Sequence, residues 1–338
     1  MFRLHVAIGC CESIEILHQQ QPPICHGDVK GQNFLLHSDF MIKIADLELA
    51  SRCFQGNNED MESKTSSSYQ IAQLRLLSQS VTPDDPEYRI SETYNWLAPE
   101  VIVGQAQTPS SDIYSLAMTM FEVLTDQVPF HELNISSKFE PEELKHQICH
   151  HNVRPGSSQI CEEMDILLSS MWKKEQSDRP NIAAVLLRLR SIACQLLFGP
   201  LEFTIINNDD QMAESLFGDI EKSGLAGAVL DASPPFRIKF VSSKWQEVCG
   251  WSSAAVVNKT VLQCLRGPRT NATRTRNLKR ALALDAFFVS GCVHYRENGA
   301  AQLHVFSTTK LKCPTALAAR PNKSFPKLIL LRSATMIL

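Results

Sequence analysis

The stretch from Pro23 to Leu36, PICHGDVKGQNFLL, places a carboxylate, an ammonium group and an amide close together. Asp28 is followed by Lys30 and then by Asn33, and a second carboxylate, Asp46, follows the next apolar run. Phosphoryl transfer needs an acceptor for the proton of the incoming hydroxyl, a cation near the transferred phosphate, and oxygen ligands for Mg²⁺. These four side chains are of the types that this chemistry uses.

A short hairpin is predicted to position the set. NFLLH and MIKIAD have the pattern of two strands joined by the polar turn SDF, so Asn33 and Asp46 come at the two ends of the hairpin. Their oxygens can then share one hard cation. Before the hairpin, apolar residues recur every three or four positions from Phe2 to about Gln19, which predicts a helix that Pro22 and Pro23 end.

Most of the first two hundred residues are predicted to be helical. The segments with helical periodicity or helix-start signals are SDIYSLAMTMFEVL, PEELKHQICHH, MDILLSSMWKK and NIAAVLLRLRSIACQLL. Between Leu47 and about Arg89 the sequence is polar and rich in turn residues, and a connection of this length is normally functional or disordered. Gly199-Pro200 and a polar run predict a first domain over 1–198, a linker over 199–222 and a second domain over 223–338.

The second domain has a different pattern. AGAVLDA and RIKFVS are predicted strands, and AFFVSGCVHY, AQLHVFSTTK and KLILLRS are three more. The helices KWQEVCGW and TNATRTRNLKRALALD lie between the two groups. This order predicts a five-stranded antiparallel sheet with helices on one side, so the fold class of the whole chain is α+β.

Composition excludes several classes of partner. The formal net charge is -3 over 338 residues, which gives no basic field for nucleic acid, and the four basic residues of the second-domain helix are predicted to form a solvated face. No apolar run has the length of a membrane span or the form of a signal peptide, so we expect an intracellular, cytoplasmic protein. The 11 cysteines contain no C-x-x-C pair, and we expect reduced thiols without disulfides.

The opening stretch resembles the catalytic loop of the eukaryotic protein kinases. HGDVK, with Asn33 after it, is similar to the H-R-D-x-K and N signature of that family. The DLE that begins at Asp46 stands where the family has D-F-G, and the APE that ends at Glu100 matches the motif that closes its activation segment. The longer form ETYNWLAPE is similar to the tyrosine-kinase-like group.

Two further segments extend the resemblance to roughly residues 1 to 195. The helix with Asp112 is similar to the buried central helix of the kinase C-terminal lobe, and MWKKEQSDRP, with Arg179, is similar to its last motif. The resemblance implies that Asp112 caps the backbone of the catalytic loop and that Glu100 and Arg179 form a buried ion pair. It implies the mainly helical C-terminal lobe as the fold of the first domain.

The resemblance also implies a role for each residue of the site. The cofactors would be ATP and Mg²⁺, the partner a protein substrate in signal transduction, and the lysine position favours Ser or Thr as the acceptor. The implied roles are proton acceptor for Asp28, phosphate contact for Lys30, Mg²⁺ ligands for Asn33 and Asp46, adenine floor for Leu35, and a bond to Asp28 and Lys30 for Thr93.

Departures from the family pattern leave two readings open. Gly27 replaces the arginine that links the catalytic loop to a phosphorylated activation segment, and Leu47 and Glu48 replace Phe and Gly. No glycine-rich phosphate loop and no V-A-I-K lysine precede the catalytic loop, so we expect this chain alone, without an N-terminal lobe, to be a poor enzyme. The favoured reading is an incomplete Ser/Thr kinase; the alternative is a catalytically inactive pseudokinase scaffold.

The second domain resembles a PAS domain of the flavin-binding, light-sensing branch. PPFRIKFVSSKWQEVCGWS, LQCLRGPRT and HYRENG are similar to its characteristic segments. The photoreactive cysteine position is occupied by Leu262, two residues before Cys264, and the flavin-contacting asparagine positions hold His294 and His304. We therefore do not expect flavin, and the domain is predicted to bind another small molecule or to mediate a homo- or heterodimer.

Overall fold

The computed structural model describes residues 1–53, 94–133, 141–199, 212–231, 233–283, 288–311 and 328–337. Contacts divide the chain into a helical unit, Phe2–Leu36 with Ile42–Leu189, and a sheet unit, Met1 and His37–Met41 with Arg190–Leu338. None of the described helices is long and apolar enough to cross a membrane. Most of the long connection after Asp46 falls outside the described residues.

Helices dominate the helical unit, in the segments where periodicity predicts them. They are α1 (Phe2–His18), α2 (Pro99–Ile102), α3 (Pro109–Thr125), α4 (Pro141–Cys149), α5 (Glu162–Met171) and α6 (Ile182–Phe198).

The central helix α3 forms the core of the helical unit. Thr108 and Ser111 form a reciprocal capping box at its start, and Asp126 ends it in the left-handed region with φ 66°. Residues on all sides of α3 are buried, which is the pattern of a helix enclosed by its own domain. Helix α1 packs against it, with Cys11 Sγ 3.6 Å from Met120 Sδ.

Two short antiparallel pairs of strands frame the candidate catalytic loop. Strands β2 (Phe34–Leu36) and β3 (Ile42–Ile44) form the predicted hairpin, with Phe34 opposite Ile44. Strands β1 (Ile24–Cys25) and β4 (Ser51–Arg52) pair on the other side of the loop, with Cys25 opposite Ser51. The loop therefore begins at one strand pair and ends at the other.

The expectation of free thiols throughout is wrong for one pair of cysteines. Cys25 and Cys53 form a disulfide across 28 positions of sequence, with their Cα atoms 6.9 Å apart. The pairing of β1 with β4 brings the two residues together, and the backbone N–H of Cys53 donates to the carbonyl oxygen of Pro23 at 2.8 Å. Nothing in the spacing of the cysteines along the chain signals this pairing, because it depends on a contact between distant segments.

In the described part of the sheet unit, five antiparallel strands pair in the order β6-β5-β9-β8-β7. Their bounds are β5 (Gly227–Asp231), β6 (Ile238–Val241), β7 (Phe288–Tyr295), β8 (Ala301–Leu311) and β9 (Leu328–Ile337). The helices are α7 (Met212–Lys222), α8 (Ser243–Cys249), α9 (Ser253–Val256), α10 (Val261–Leu265) and α11 (Ala272–Ala283).

Helices cover both faces of this sheet, whereas the sequence predicted helices on one side. Ala228 and Leu230 of β5 pack with α8 to α11, while Val229, between them, packs with Ile220 of α7. Strand β5 is apolar on both faces, so each face has to be covered. Helix α7 lies in the segment predicted as a linker and supplies the second cover.

A buried ion pair joins two distant motifs of the helical unit, as the kinase resemblance implies. The two terminal guanidinium nitrogens of Arg179, Nη1 and Nη2, donate to the carboxylate of Glu100 at 2.6 and 2.8 Å. The same guanidinium donates to the carbonyl oxygens of Lys173, Lys174 and Ser110. Because every N–H direction of the fork is used, removal of the carboxylate charge leaves a buried cation without compensation.

We predict that Glu100→Gln lowers the free energy of unfolding of the helical unit by about 3–5 kcal/mol, because it strands the Arg179 charge in the interior. Urea denaturation of the full chain measures this loss. Asp126→Asn is the matched control, since Asp126 pairs with Arg3 at 3.2 Å while its side chain is 85% exposed. The control should change stability by less than about 1 kcal/mol, and an equal loss in both variants would contradict the prediction.

Candidate active site

The candidate catalytic loop is held by one buried carboxylate of α3. Asp112 Oδ2 accepts a hydrogen bond from the backbone N–H of His26 at 2.8 Å, and Oδ1 accepts from the N–H of Gly27 at 3.0 Å. His18, the last residue of α1, donates from Nε2 to Oδ2 at 2.9 Å. The implied capping role of Asp112 is therefore confirmed in its geometry, and α1 and α3 both hold the loop.

The ring of His26 links the loop to the far end of the hairpin. His26 is fully buried, and its Nε2 lies 3.0 Å from the carbonyl oxygen of Ala45. Its Nδ1 accepts from the backbone N–H of Asp28 at 3.2 Å. One tautomer satisfies both contacts, with the hydrogen on Nε2 and the lone pair on Nδ1. The ring thus sets the distance between Asp28 and the chain that leads into Asp46.

Asp28, Lys30 and Asn33 come together as the sequence predicts. Asp28 Oδ2 lies 2.8 Å from Lys30 Nζ and accepts from Asn33 Nδ2 at 2.9 Å. The same amide also donates to the backbone carbonyl oxygen of Asp28 at 2.7 Å. Within the described part of the chain both side-chain partners of Asp28 contact Oδ2. The amide holds the carboxylate in one orientation.

The two predicted Mg²⁺ ligands lie at the adjoining ends of β2 and β3. The backbone N–H of Ala45 donates to the carbonyl oxygen of Asn33 at 2.9 Å, and Asp46 is the next residue along the chain. Asn33 is buried and its amide hydrogens both point at Asp28, which leaves its side-chain oxygen for a cation. Asp46 is exposed, with φ 63°. An amide and a carboxylate oxygen fit Mg²⁺, which usually keeps one or two protein ligands besides phosphate and water.

Other metal chemistry finds no support in the described ranges. They contain no group of three or more His, Cys, Asp or Glu side chains arranged to hold a metal ion. A site of one carboxylate and one amide, completed by phosphate oxygens, is outside that class. Because the absence of larger clusters from the described ranges does not test such a pair, the choice of Asn33 and Asp46 as Mg²⁺ ligands remains a prediction.

The remaining predicted residues have less defined surroundings. Leu35 lies in the middle of β2 and is 55% exposed, so it presents apolar surface to a ligand or to another segment. Leu47 and Glu48, which replace the expected Phe and Gly, are also exposed. Thr93 lies outside the described residues. The roles of Leu35 and Thr93 stay predictions.

Two residues that support the loop, one directly and one through Asp112, were missed by sequence reasoning. Gln107 donates from Nε2 to the carbonyl oxygen of Gly27 at 2.7 Å, and His18 binds Asp112. Gln107 stands in a polar run before α3 and His18 at the end of an amphipathic helix, so no local pattern distinguishes either one. Only the close approach of distant segments reveals them.

The sheet unit contains a second polar cluster in its interior. Cys292 Sγ lies 2.9 Å from His294 Nε2, and His294 Nδ1 lies 2.7 Å from His304 Nδ1. Cys292 and His304 are direct cross-strand partners on β7 and β8, and both histidines are fully buried. Whichever tautomer the two histidines adopt, Nε2 of His304 has no hydrogen-bond partner among the described residues. These histidines are the residues at the flavin-contacting positions implied by the PAS resemblance.

Burial determines the protonation of this cluster. Desolvation lowers the pKa of His294 to about 3, and burial followed by the neighbouring His294 lowers the pKa of His304 well below its usual range. Cys264 is also buried, in the apolar core between the helices and the sheet, and burial raises the pKa of its thiol. Cys264 is therefore placed as a core residue, in agreement with the sequence prediction.

The geometry of the loop and of the residues that hold it is consistent with one class of protein. An aspartate held by an asparagine and a lysine, on a loop anchored to a buried aspartate of the central helix, is an arrangement suited to phosphoryl transfer. The family model described as protein kinase domain matches residues 4–188, which is more than half of the chain. The chain belongs to the protein kinase domain family.

Three curated proteins that are similar to this chain have kinase names. It is 27% identical over 197 residues to human "Serine/threonine-protein kinase TNNI3K", a match that covers 57% of this chain and 20% of that protein. It is 29% identical over 194 residues to "Stress-activated protein kinase alpha" of Dictyostelium discoideum, covering 55% and 26%. "Dual specificity protein kinase shkC" of the same organism is 26% identical over 185 residues, covering 54% and 31%.

The matched region spans only a fifth to a third of the length of these three relatives. Among solved structures, the chain is similar to one described as "Flavin Analogue Sheds Light on Light-Oxygen-Voltage Domain Mechanism". That match has a TM-score of 0.30 and 15% identity, and it covers 36% of this chain and 84% of the other. A likeness of this size adds no argument about function.

We predict that the sheet unit loses stability below about pH 6.5, because the unfolded chain then protonates histidines that the folded interior keeps neutral. The folded pKa values lie below the unfolded value, so the stabilisation is complete above that pH and falls as the pH drops. Each histidine contributes a slope of up to about 1.4 kcal/mol per pH unit. Urea denaturation between pH 7.5 and 5.5, followed through the histidine ring NMR signals, measures it.

His304→Gln should reduce this slope by up to about 1.4 kcal/mol per pH unit relative to the unaltered chain, because one fewer histidine takes up a proton on unfolding. His150→Gln is the control, since His150 is exposed and lies in the helical unit. A slope unchanged in His304→Gln would mean that the buried pair does not titrate on unfolding, contrary to the prediction.

Proposed function

We propose that this protein transfers the terminal phosphoryl group of ATP to Ser or Thr hydroxyls of a protein substrate. The contact of Asp28 with both Lys30 and Asn33 is the observation that carries the proposal. It fixes a carboxylate beside a cation on a loop that the protein holds rigidly. Positioning and electrostatic stabilisation supply most of the catalysis in phosphoryl transfer.

Each side chain then has a physical task. Asp28 orients the incoming hydroxyl and takes its proton, while Lys30 offsets negative charge on the transferred phosphate. Asn33 and Asp46 would hold Mg²⁺, which neutralises charge on the phosphates when it is bound. Leu35 offers apolar surface to the adenine, and Thr93 is proposed to bind Asp28 and Lys30. Serine or threonine as acceptor follows from the lysine of the loop and from the relative named as a Ser/Thr kinase.

A second candidate function is a pseudokinase that acts as a scaffold. The exposed Leu47 and Glu48 favour it, since the glycine that would allow backbone freedom beside Asp46 is missing and a second carboxylate lies two residues away. Under this proposal the helical unit binds partners without transferring phosphate. The binding of magnesium nucleotide separates the two candidates.

For the sheet unit we propose a PAS-type sensory or dimerisation role. Its support is the order of strands and helices together with the buried polar cluster of Cys292, His294 and His304. Neutral, buried imidazoles favour an uncharged small molecule over an anion, because an anion would require the protonated form. A cytoplasmic location for the whole protein remains part of the proposal.

We predict that Mg²⁺ and ATP together raise the melting temperature of the chain, since a ligand at a hundred times its Kd stabilises a folded protein by about 2.7 kcal/mol. Asp46→Asn should abolish the shift because a metal ligand is lost. Glu48→Gln is the matched control: it removes a nearby negative charge but no proposed ligand, and it should keep or increase the shift. Differential scanning fluorimetry with and without Mg²⁺ makes the comparison.

Asp28→Asn should keep the nucleotide-induced shift and lose about 10²–10⁴-fold in phosphoryl transfer, because binding does not need the carboxylate and proton acceptance does. Transfer of labelled phosphate to casein, at high concentration of the chain, measures the rate. Absence of both the shift and the transfer in the unaltered chain would replace the kinase proposal with the scaffold.

A further inference from the structure

The peptide groups on both sides of Gly27 are held by side chains from one short segment. Asp112, in the first turn of α3, accepts from the backbone N–H of Gly27 at 3.0 Å. Gln107, just before the helix, donates to the carbonyl oxygen of Gly27 at 2.7 Å. That carbonyl belongs to the peptide group that leads into Asp28. The start of α3 therefore clamps the peptide immediately before the proposed catalytic carboxylate.

The segment that carries the clamp is itself rigid. Thr108, the residue after Gln107, caps α3 and donates from Oγ1 to Gln176 Oε1 at 2.8 Å. Ser110 donates from Oγ to the backbone carbonyl oxygen of Gln176 at 2.7 Å. Gln107 thus lies between a helix cap and the loop, and the residue is buried.

Gln107 fills the volume that a side chain at position 27 would need. A Cβ built on Gly27 would overlap Gln107 Oε1 and lie 2.6 Å from its Cδ. Gly27 also has φ 81°, a left-handed conformation that side chains rarely adopt. A side chain at residue 27 would therefore require the amide of Gln107 to leave its present position and give up its hydrogen bond to Gly27. The present position of the Gln107 amide is thus compatible with glycine at residue 27, where the kinase pattern has arginine.

Stability alone does not explain this glutamine. Its Oε1 is buried and has no hydrogen-bond partner among the described residues. A buried acceptor without a partner costs a protein free energy, whereas an apolar side chain of the same shape avoids that cost. The feature that the glutamine adds is the hydrogen bond to the peptide group before Asp28.

We propose that Gln107 is a positioning residue, which holds the catalytic loop in place of a side chain at residue 27. The proposal rests on the proposed phosphoryl transfer for its purpose, but its geometry does not depend on activity. Both clamps come from the start of α3, so under this proposal they orient the peptide before Asp28 without using a side chain at residue 27. Gln107→Met is the informative variant, since it keeps the volume and removes both the donor and the unpartnered oxygen.

Hydrogen exchange of the full chain, measured by mass spectrometry, tests the clamp. In Gln107→Met the amides of His26 to Asp28 should exchange at least about fivefold faster, because the lost hydrogen bond is worth about 1 kcal/mol, which corresponds to that factor. The melting temperature should stay unchanged or rise, because the unpartnered oxygen is removed as well. Gln105→Met, two positions earlier at an exposed site, is the control and should leave the exchange unaltered. Unaltered exchange in Gln107→Met would overturn the proposal.

A double-mutant cycle tests the exclusion independently of activity. Gly27→Ala should lower the melting temperature, and in a Gln107→Ala background this loss should shrink by about half, because space for the methyl group is then available. The remaining loss reflects the left-handed backbone. Additive effects of the two substitutions would show that the residues do not compete for space and would contradict the pairing.

Catalytic activity provides a further test, which separates the positioning role of Gln107 from the kinase proposal itself. Where transfer is measurable, Gln107→Met should lower kcat at least about tenfold and leave the KM for ATP within about twofold, as expected when only the reacting group is displaced. An unchanged kcat together with a loosened loop would overturn the positioning role. If the unaltered chain transfers no phosphate, the exchange and the cycle still decide whether Gln107 holds the loop, and only the kinase proposal fails.

Discussion

The helical unit depends on one buried carboxylate. Asp112 is 1% exposed, and a charge so far from water is tolerated only when hydrogen bonds replace its hydration. Its three donors come from two segments that are distant from it in sequence: His18 at the end of α1, and the adjacent backbone N–H groups of His26 and Gly27. Displacement of the loop would leave the carboxylate without these donors. The cost of leaving it unsatisfied therefore keeps the loop in one conformation.

The same helix transmits this order to the rest of the unit. The carbonyl oxygen of Ser110, in the first turn of α3, accepts from Arg179, whose guanidinium neutralises Glu100. The candidate catalytic loop and the Glu100–Arg179 ion pair are therefore both bound to the first turn of α3. His26 extends the order outward, since its ring joins the loop to Ala45 and so to the position of Asp46. His26 therefore connects the backbone at Asp28 to the residue before Asp46, and no described bond joins the two carboxylates directly.

Sequence reasoning succeeded where the signal is local. Helix α1, helix α3 and the β2–β3 hairpin follow from periodicity and turn residues, and the grouping of Asp28, Lys30 and Asn33 follows from their closeness in the chain. The features it missed need contacts between distant segments. The Cys25–Cys53 disulfide depends on the pairing of β1 with β4, and Gln107 depends on how α3 approaches the loop. The placement of α7 on the second face of the sheet depends on β5 being apolar on both sides.

The backbone at Asp46 bears on the choice between enzyme and scaffold. Asp46 has φ 63°, a left-handed conformation that costs a non-glycine residue about 1 kcal/mol or more, although aspartate tolerates it better than most. Its side chain is exposed, so no packing in the described residues compensates this cost. Strain of this kind is found where a protein must aim a side chain at a ligand. Under the proposed phosphoryl transfer this strain has a use, because Asp46 would be a Mg²⁺ ligand, whereas the proposed scaffold has no such need for it.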